Sequence, residues 1–382
     1  MRSRRSDPNT DAFPLVGGDL GPLLRGPGDT TDAVLRVILD RVARGSRPGA
    51  RDDDHVICLA VEGGGMRGAV SAGMCVVLEA AGAVPAFDRI YGVSAGALNG
   101  YATAVGQAAL SATHYQDAAS QRVIDRTAPL RGRPVIDFGL LFEELIGTRK
   151  PLSFECLSSG PEFRALATSL ETMSLRVLGG FGDGAEALQA VRASAALPRL
   201  GGEPPMFRGE RMTDGALIEP IPFETALAEG ATHVLVLRSC PAGYRKPSLA
   251  ALGERLPLRS DPRLFELAKE RHGNYNRLAA ALDDGAPQRD DAHLHQVAIP
   301  DGTRVIGRLE ADTGRVVQAL RLGAAAMAST LLTDAVSLCW QPVVYRAAAP
   351  VQLPVTAAPV AVAHAPRWRP LARRASGWSS AS

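Results

Sequence analysis

The chain has 382 residues, 46% hydrophobic and 21% charged, enough for one large or two modest globular domains with a sizeable core. A net charge of +2 gives no broad electrostatic case for nucleic acid. Five scattered cysteines without a C-x-x-C make neither a disulfide framework nor a zinc site.

Residues 1–54 are rich in Gly, Pro, Arg and Asp and read as a disordered head carrying one helix, Thr30 to Val42, and a linker through Arg47-Pro48-Gly49. The charged start (Arg2, Arg4, Arg5) has no apolar h-region after it, and no apolar run reaches membrane-spanning length. A cytoplasmic protein is therefore expected.

Val56–Val61 is a short continuous apolar run, the pattern of a buried parallel strand, and Glu62-Gly63-Gly64-Gly65-Met66-Arg67-Gly68 follows it. Ala69–Ala81 reads as a helix stopped by Gly82. Phe87–Val93 is the next strand, and a helix is predicted from Leu98 to Thr113. Strand–Gly loop–helix–strand–helix implies a parallel sheet with right-handed crossovers. Val135–Ile146 is apolar and partly amphipathic, either a lid or an ordinary core helix. Further on, strands are predicted at Phe163–Leu170, His233–Arg238 and His295–Ile299. Helices are predicted at Ala185–Ser194, Phe223–Glu229, Pro262–Leu282 and Arg315–Leu332, with Met212–Gly215 as a turn. The main domain is placed at 55–345, and residues 346–382, rich in Pro, Ala, Arg and Ser, read as a disordered tail.

Ser94 sits in Gly92-Val93-Ser94-Ala95-Gly96, between a predicted strand and a predicted helix. This is the G-x-S-x-G nucleophile elbow, whose flanking glycines let a sharp turn hold the serine oxygen in the open. One strand–helix unit earlier, the glycine loop places backbone N–H groups at a helix N-terminus, where an anion is favoured. Gly63, Gly65 and Gly68 also satisfy G-x-G-x-x-G with Asp88 about 20 residues on, a dinucleotide signature. Position speaks against it, because Asp88 opens the second strand whereas the acidic residue belongs at its far end. The alternative is an oxyanion hole for acyl transfer.

A serine nucleophile needs a base. His233 opens an apolar strand, His114 ends a helix, His55 precedes the first strand, and His272, His293, His295 and His364 lie far downstream. None is a good triad histidine. Asp214, at the Asp214-Gly215 turn, is better placed, and an aspartate hydrogen-bonded to a serine can take its proton directly. Asp-Gly is also a common turn, so the residues alone leave a dyad and a purely structural turn both open.

Together, Glu62–Gly68, Gly92–Gly96 and Asp214-Gly215, with Ser194-Ala195-Ala196-Leu197-Pro198 ahead of the last, resemble the signature blocks of the patatin-like phospholipases, in order and at compatible spacing. The resemblance implies a three-layer α/β/α fold with a mainly parallel central sheet. It also implies a catalytic dyad of Ser94 and Asp214, and an oxyanion hole on the loop of Gly63, Gly64, Gly65, Met66, Arg67 and Gly68, chiefly the N–H groups around Gly64, Gly65 and Met66. Glu62 departs from the Asp of many members, and Arg67 matches the family's basic position. Implied substrates are acyl lipids, met in transient contact with a membrane surface, with no cofactor, metal or nucleic acid. A small-ester or thioester hydrolase, or a lipid-binding module of low turnover, would use the same site.

Overall fold

The computed structural model describes residues 14–16, 19–154, 157, 159–197, 200–248, 261–285, 292–304, 306–333 and 340–342. In chain order the elements begin β1 (Pro14–Val16), α1 (Ala33–Arg44), β2 (Ile57–Val61), α2 (Gly68–Ala80), β3 (Arg89–Val93), α3 (Ala95–Ala104), α4 (Ala108–Ser120) and a π-helix (Gly139–Arg149). They continue with β4 (Glu162–Ser169), β5 (Leu175–Leu178), α5 (Gly184–Ala195), β6 (Met206–Phe207), β7 (Glu210–Asp214) and α6 (Phe223–Ala228). The last are β8 (His233–Leu237), α7 (Pro262–Asp283), β9 (His293–Val297), α8 (Thr313–Leu331) and β10 (Trp340–Pro342).

The central sheet runs β6-β7-β4-β3-β2-β8-β9, with β5 also paired to β4. β4, β3, β2, β8 and β9 are parallel, and β5, β7 and β6 join antiparallel at one side. Side chains alternate across a strand, so continuous apolar runs feed two cores at once. Ile57, Leu59 and Val61 pack into the core under α2, α3, α4, α5 and α8. Cys58 and Ala60 pack into a second core under α6 and α7. The fold is therefore a three-layer α/β/α arrangement with a mostly parallel sheet. The strands end together on one side, and both the glycine loop after β2 and the serine turn after β3 lie there.

Several elements differ from expectation. The helix predicted over 98–113 is two, broken where Gly106 takes a left-handed φ of 68°. Asp214 ends a strand, because β7 pairs with β4 at Ala167↔Asp214. β9 begins at His293, in register with His233 of β8. Helix α1, assigned to the head, buries Val34, Leu35, Ile38 and Leu39 in the main core, and its fully buried Arg41 is ion-paired to Asp53 and Asp88. Residues 1–13 and the tail predicted over 346–382 lie outside the described residues. No helix of the described residues is long and apolar enough to cross a membrane.

Candidate active site

Ser94 is the single residue between β3 and α3. Its φ of 56° and ψ of −126° are unfavourable for a residue with a β-carbon, a strain of about 1–3 kcal/mol that survives only where the surroundings over-determine it. They do. The Ser94 N–H donates to Ser194 Oγ at 2.8 Å, and the Ser194 hydroxyl donates to the Leu166 carbonyl at 2.6 Å. A β-carbon at Gly92 would overlap the Gly96 carbonyl, and one at Gly96 would overlap the Val61 carbonyl, so both glycines are sterically required.

Asp214 reaches the same place from β7. Its N–H donates to the Ala196 carbonyl at 2.7 Å, and its Oδ1 accepts the Ala216 N–H at 2.8 Å. The Ser94 hydroxyl stands close enough to its carboxyl to act on the Asp214 pKa. Burial raises the Asp214 pKa above the ordinary carboxylate value. The positive charge of Arg271, the Ala216 N–H, Ser94 and the charge of Arg308 offset part of that rise.

The glycine loop runs across the top of β2. Gly65 takes a φ of 58°, and a β-carbon there would come within 2.7 Å of the Arg308 carbonyl. The Gly63 N–H donates to the Pro220 carbonyl at 3.2 Å and the Met66 N–H to the Arg308 carbonyl at 3.0 Å. The Arg67 and Gly68 N–H groups are taken up within the turn. Those of Gly64 and Gly65 donate to no acceptor among the described residues. Behind the loop, buried Glu62 accepts Arg238 Nε at 3.0 Å and the Ser239 N–H at 2.8 Å, and the Ser239 hydroxyl donates to the Gly63 carbonyl at 3.1 Å. Glu62 therefore braces the loop from beneath.

Gly63 to Arg67, Ser94 and Asp214 line one cavity of about 340 Å³. Gly68 starts α2 beside it, and Gly92 and Gly96 shape the elbow from behind. One part of the wall is apolar, with Val123, Ile124, Ile136, Phe138, Leu141 and Phe142; another carries Arg67, Lys246, Arg271, Tyr275 and Arg308. The segment that could have been a lid is a wall, since Phe142, Leu145 and Ile146 are buried in the main core.

The histidines divide as their positions suggest. His114 lines the cavity, but its Nε2 is bonded to the Lys150 carbonyl at 3.0 Å, and burial pulls its pKa down to about 4. His55, His233 and His293 stack at the opposite, N-terminal end of the strands. Among the described residues, no histidine hydrogen-bonds Ser94, and no cluster of His, Cys, Asp or Glu could hold a metal ion. Asp88, the acid of the dinucleotide alternative, is held by Arg41 and Arg51 at the far end of β3.

The sequence reading missed Arg271, Arg308 and Lys246, which reach the cavity from segments with no local motif. Ser194 had a signal, its place before Leu197-Pro198, but not a stated role.

Residues 59–227 match the family model described as "Patatin-like phospholipase". This segment belongs to the patatin-like phospholipase family. The patatin-like segment holds Ser94, Asp214 and the glycine loop, whereas Lys246, Arg271 and Arg308 lie beyond it. Among solved structures, VipD from Legionella pneumophila is similar at 13% identity and a TM-score of 0.32, covering 70% of this chain and 67% of that one. Human GIVD cytosolic phospholipase A2, solved with methyl gamma-linolenyl fluorophosphonate, is similar at 12% identity and a TM-score of 0.38, covering 78% of this chain and 63% of that one. Both likenesses are distant. No curated protein matches the chain.

Proposed function

We propose that the chain is a serine acyl hydrolase that cleaves carboxylic esters of lipids through a Ser94–Asp214 dyad. The observation that carries this reading is the shared cavity. A strained serine and a buried aspartate face the same cavity, beside an apolar wall.

In the reaction, Asp214 accepts the Ser94 proton as Ser94 Oγ attacks the acyl carbonyl, forming a tetrahedral oxyanion. The Gly64 and Gly65 N–H groups, with the positive end of α2 behind them, stabilise that oxyanion. Of the six loop residues, Gly64 and Gly65 serve as donors, because the N–H groups of the other four have acceptors within the protein. Collapse expels the alcohol, which takes the proton back from Asp214, and leaves an acyl-enzyme. Asp214 then takes a proton from water, the hydroxide attacks the ester, and the fatty acid leaves as Ser94 is reprotonated. The acyl chain lies against Ile124, Ile136, Phe138, Leu141 and Phe142.

The test is labelling by a long-chain alkyl fluorophosphonate, with turnover of p-nitrophenyl esters of increasing chain length. Covalent labelling lost in Ser94→Ala, with turnover of long esters abolished alongside it, is expected. Undiminished turnover in that variant overturns the assignment.

A further inference from the structure

Ile124 and Ile136 line the cavity and pair with one another as an isolated antiparallel bridge. Between them the chain leaves the body of the fold and returns, as Asp125-Arg126-Thr127-Ala128-Pro129-Leu130-Arg131-Gly132-Arg133-Pro134-Val135. Ala128 is buried and anchors the loop, while residues 129–134 are exposed. Leu130 at the tip is 89% exposed, far more than the two other exposed large hydrophobic residues described, Met206 at 53% and Val177 at 36%.

A lone exposed leucine needs no explanation. This one stands amid an excess of positive charge. Arg122, Arg126, Arg131 and Arg133 flank it, against two carboxylates, Asp125 and Asp137. The loop is also built rather than loose. Asp125 Oδ1 accepts the Thr127 N–H at 2.8 Å and the Thr127 hydroxyl at 2.6 Å, and Asp125 ion-pairs with Arg131. Arg126 Nη2 donates to the carbonyl of Leu309, another residue of the cavity wall, at 2.7 Å. Its base is thus fixed to the cavity from two directions, and its apolar tip is held outward.

We infer that this loop docks the cavity on an anionic lipid surface, with Leu130 entering the headgroup–acyl boundary and the arginines meeting headgroup phosphates. An apolar tip ringed by arginines matches such a surface in both polarity and charge, and guanidinium is suited to phosphate oxygens. The loop base shares Ile124 and Ile136 with the apolar wall, so a lipid drawn from the surface meets that wall first. The inference rests on the lipid-hydrolase reading for what the surface delivers, but docking itself is measured without turnover.

The experiment is co-sedimentation of the full chain, carrying Ser94→Ala so that the lipid is not consumed. Its targets are vesicles of phosphatidylglycerol mixed with phosphatidylcholine and vesicles of phosphatidylcholine alone. Binding should favour the anionic vesicles and weaken with salt. Arg131→Gln with Arg133→Gln should lower affinity for anionic vesicles by about 25-fold, roughly fivefold per arginine. Leu130→Ser should lower affinity by about tenfold on either vesicle. In the active background both variants should turn over a soluble p-nitrophenyl ester as the parent does, because none of the three residues lines the cavity. Equal binding to the two vesicle types overturns the inference. So does vesicle binding unmoved by both variants, as expected if the loop instead recognises a protein, or no vesicle binding by a chain whose parent cleaves soluble esters. Anionic-vesicle binding that follows the variants, by a chain whose parent cleaves no ester, upholds the docking and removes the hydrolase reading alone.

Discussion

Ser194, at the end of α5, accepts the N–H of Ser94 at 2.8 Å from 100 residues away in sequence. The same hydroxyl donates to the Leu166 carbonyl of β4, and two residues on, the Ala196 carbonyl accepts both the Asp214 N–H at 2.7 Å and the Thr213 hydroxyl at 2.8 Å. One short segment therefore sets where the proposed nucleophile and its proposed base stand relative to one another.

Ser194→Ala should leave the buried Ser94 N–H without an acceptor, at a cost of about 1–3 kcal/mol. Ser94 is already in a strained conformation, so the turn should relax. Activity on a p-nitrophenyl ester should fall by roughly 10- to 100-fold with the fold intact. Thermal unfolding together with the rate of fluorophosphonate labelling separates this from global unfolding.

The raised pKa of Asp214 governs the pH dependence. With the carboxylate as the proposed base, kcat/KM should rise with pH through an apparent pKa above that of an ordinary aspartate, as the group loses its proton. Stability runs the other way. A carboxyl that holds its proton more tightly folded than unfolded favours the folded state at low pH, and that contribution is lost as pH rises through the folded value. Asp214→Asn should therefore lower turnover by about 10²–10⁴-fold while raising Tm at neutral pH. A variant with lower Tm at neutral pH and normal Tm in acid would contradict the sign.

Burial holds His114 near pKa 4, against an ordinary 6.5, so it stays neutral in the folded chain while the unfolded chain takes up a proton. The stabilisation is present above pH 6.5 and is lost as pH falls toward 4, amounting to up to about 3 kcal/mol. Urea unfolding at pH 7 and pH 4.5 should show a smaller acid penalty in His114→Gln than in the parent.

Helices α2 and α8 touch backbone to backbone. A β-carbon at Gly73 would overlap the Leu320 carbonyl, and one at Gly323 would overlap the Val70 carbonyl. Gly323→Ala should force the helices apart and destabilise the chain by about 3 kcal/mol, despite the better intrinsic helix propensity of alanine. A rise in the urea midpoint would refute the close contact.

Much of the site was legible because its signals are local. A run such as Ile57–Val61 has to bury both faces, and a serine between Gly92 and Gly96 can adopt the elbow because glycines there carry no β-carbon to overlap the neighbouring carbonyls. Asp214 was harder, since an Asp-Gly pair reads as a turn. It ends a strand only because β4 lies alongside it. The break at Gly106 was equally hidden, because one glycine in an apolar run does not announce a left-handed φ.

By itself the sequence determined the apolar strands that form the parallel part of the sheet, and with them the loops that meet at their ends, but not the antiparallel strands at its side. It also singled out the serine, the aspartate and the glycine loop that the fold brings to one cavity. These follow from side-chain periodicity and near-neighbour sterics, which act over a few residues. Tertiary structure alone decided which loop N–H groups are spent on Pro220 and Arg308 and which remain without an acceptor. It also decided that burial raises the pKa of Asp214 against the charges of Arg271 and Arg308, and that Ser194 braces the elbow. Those outcomes depend on desolvation and on contacts between residues up to about a hundred positions apart, where hydrogen-bond and charge energies are set by distance in space.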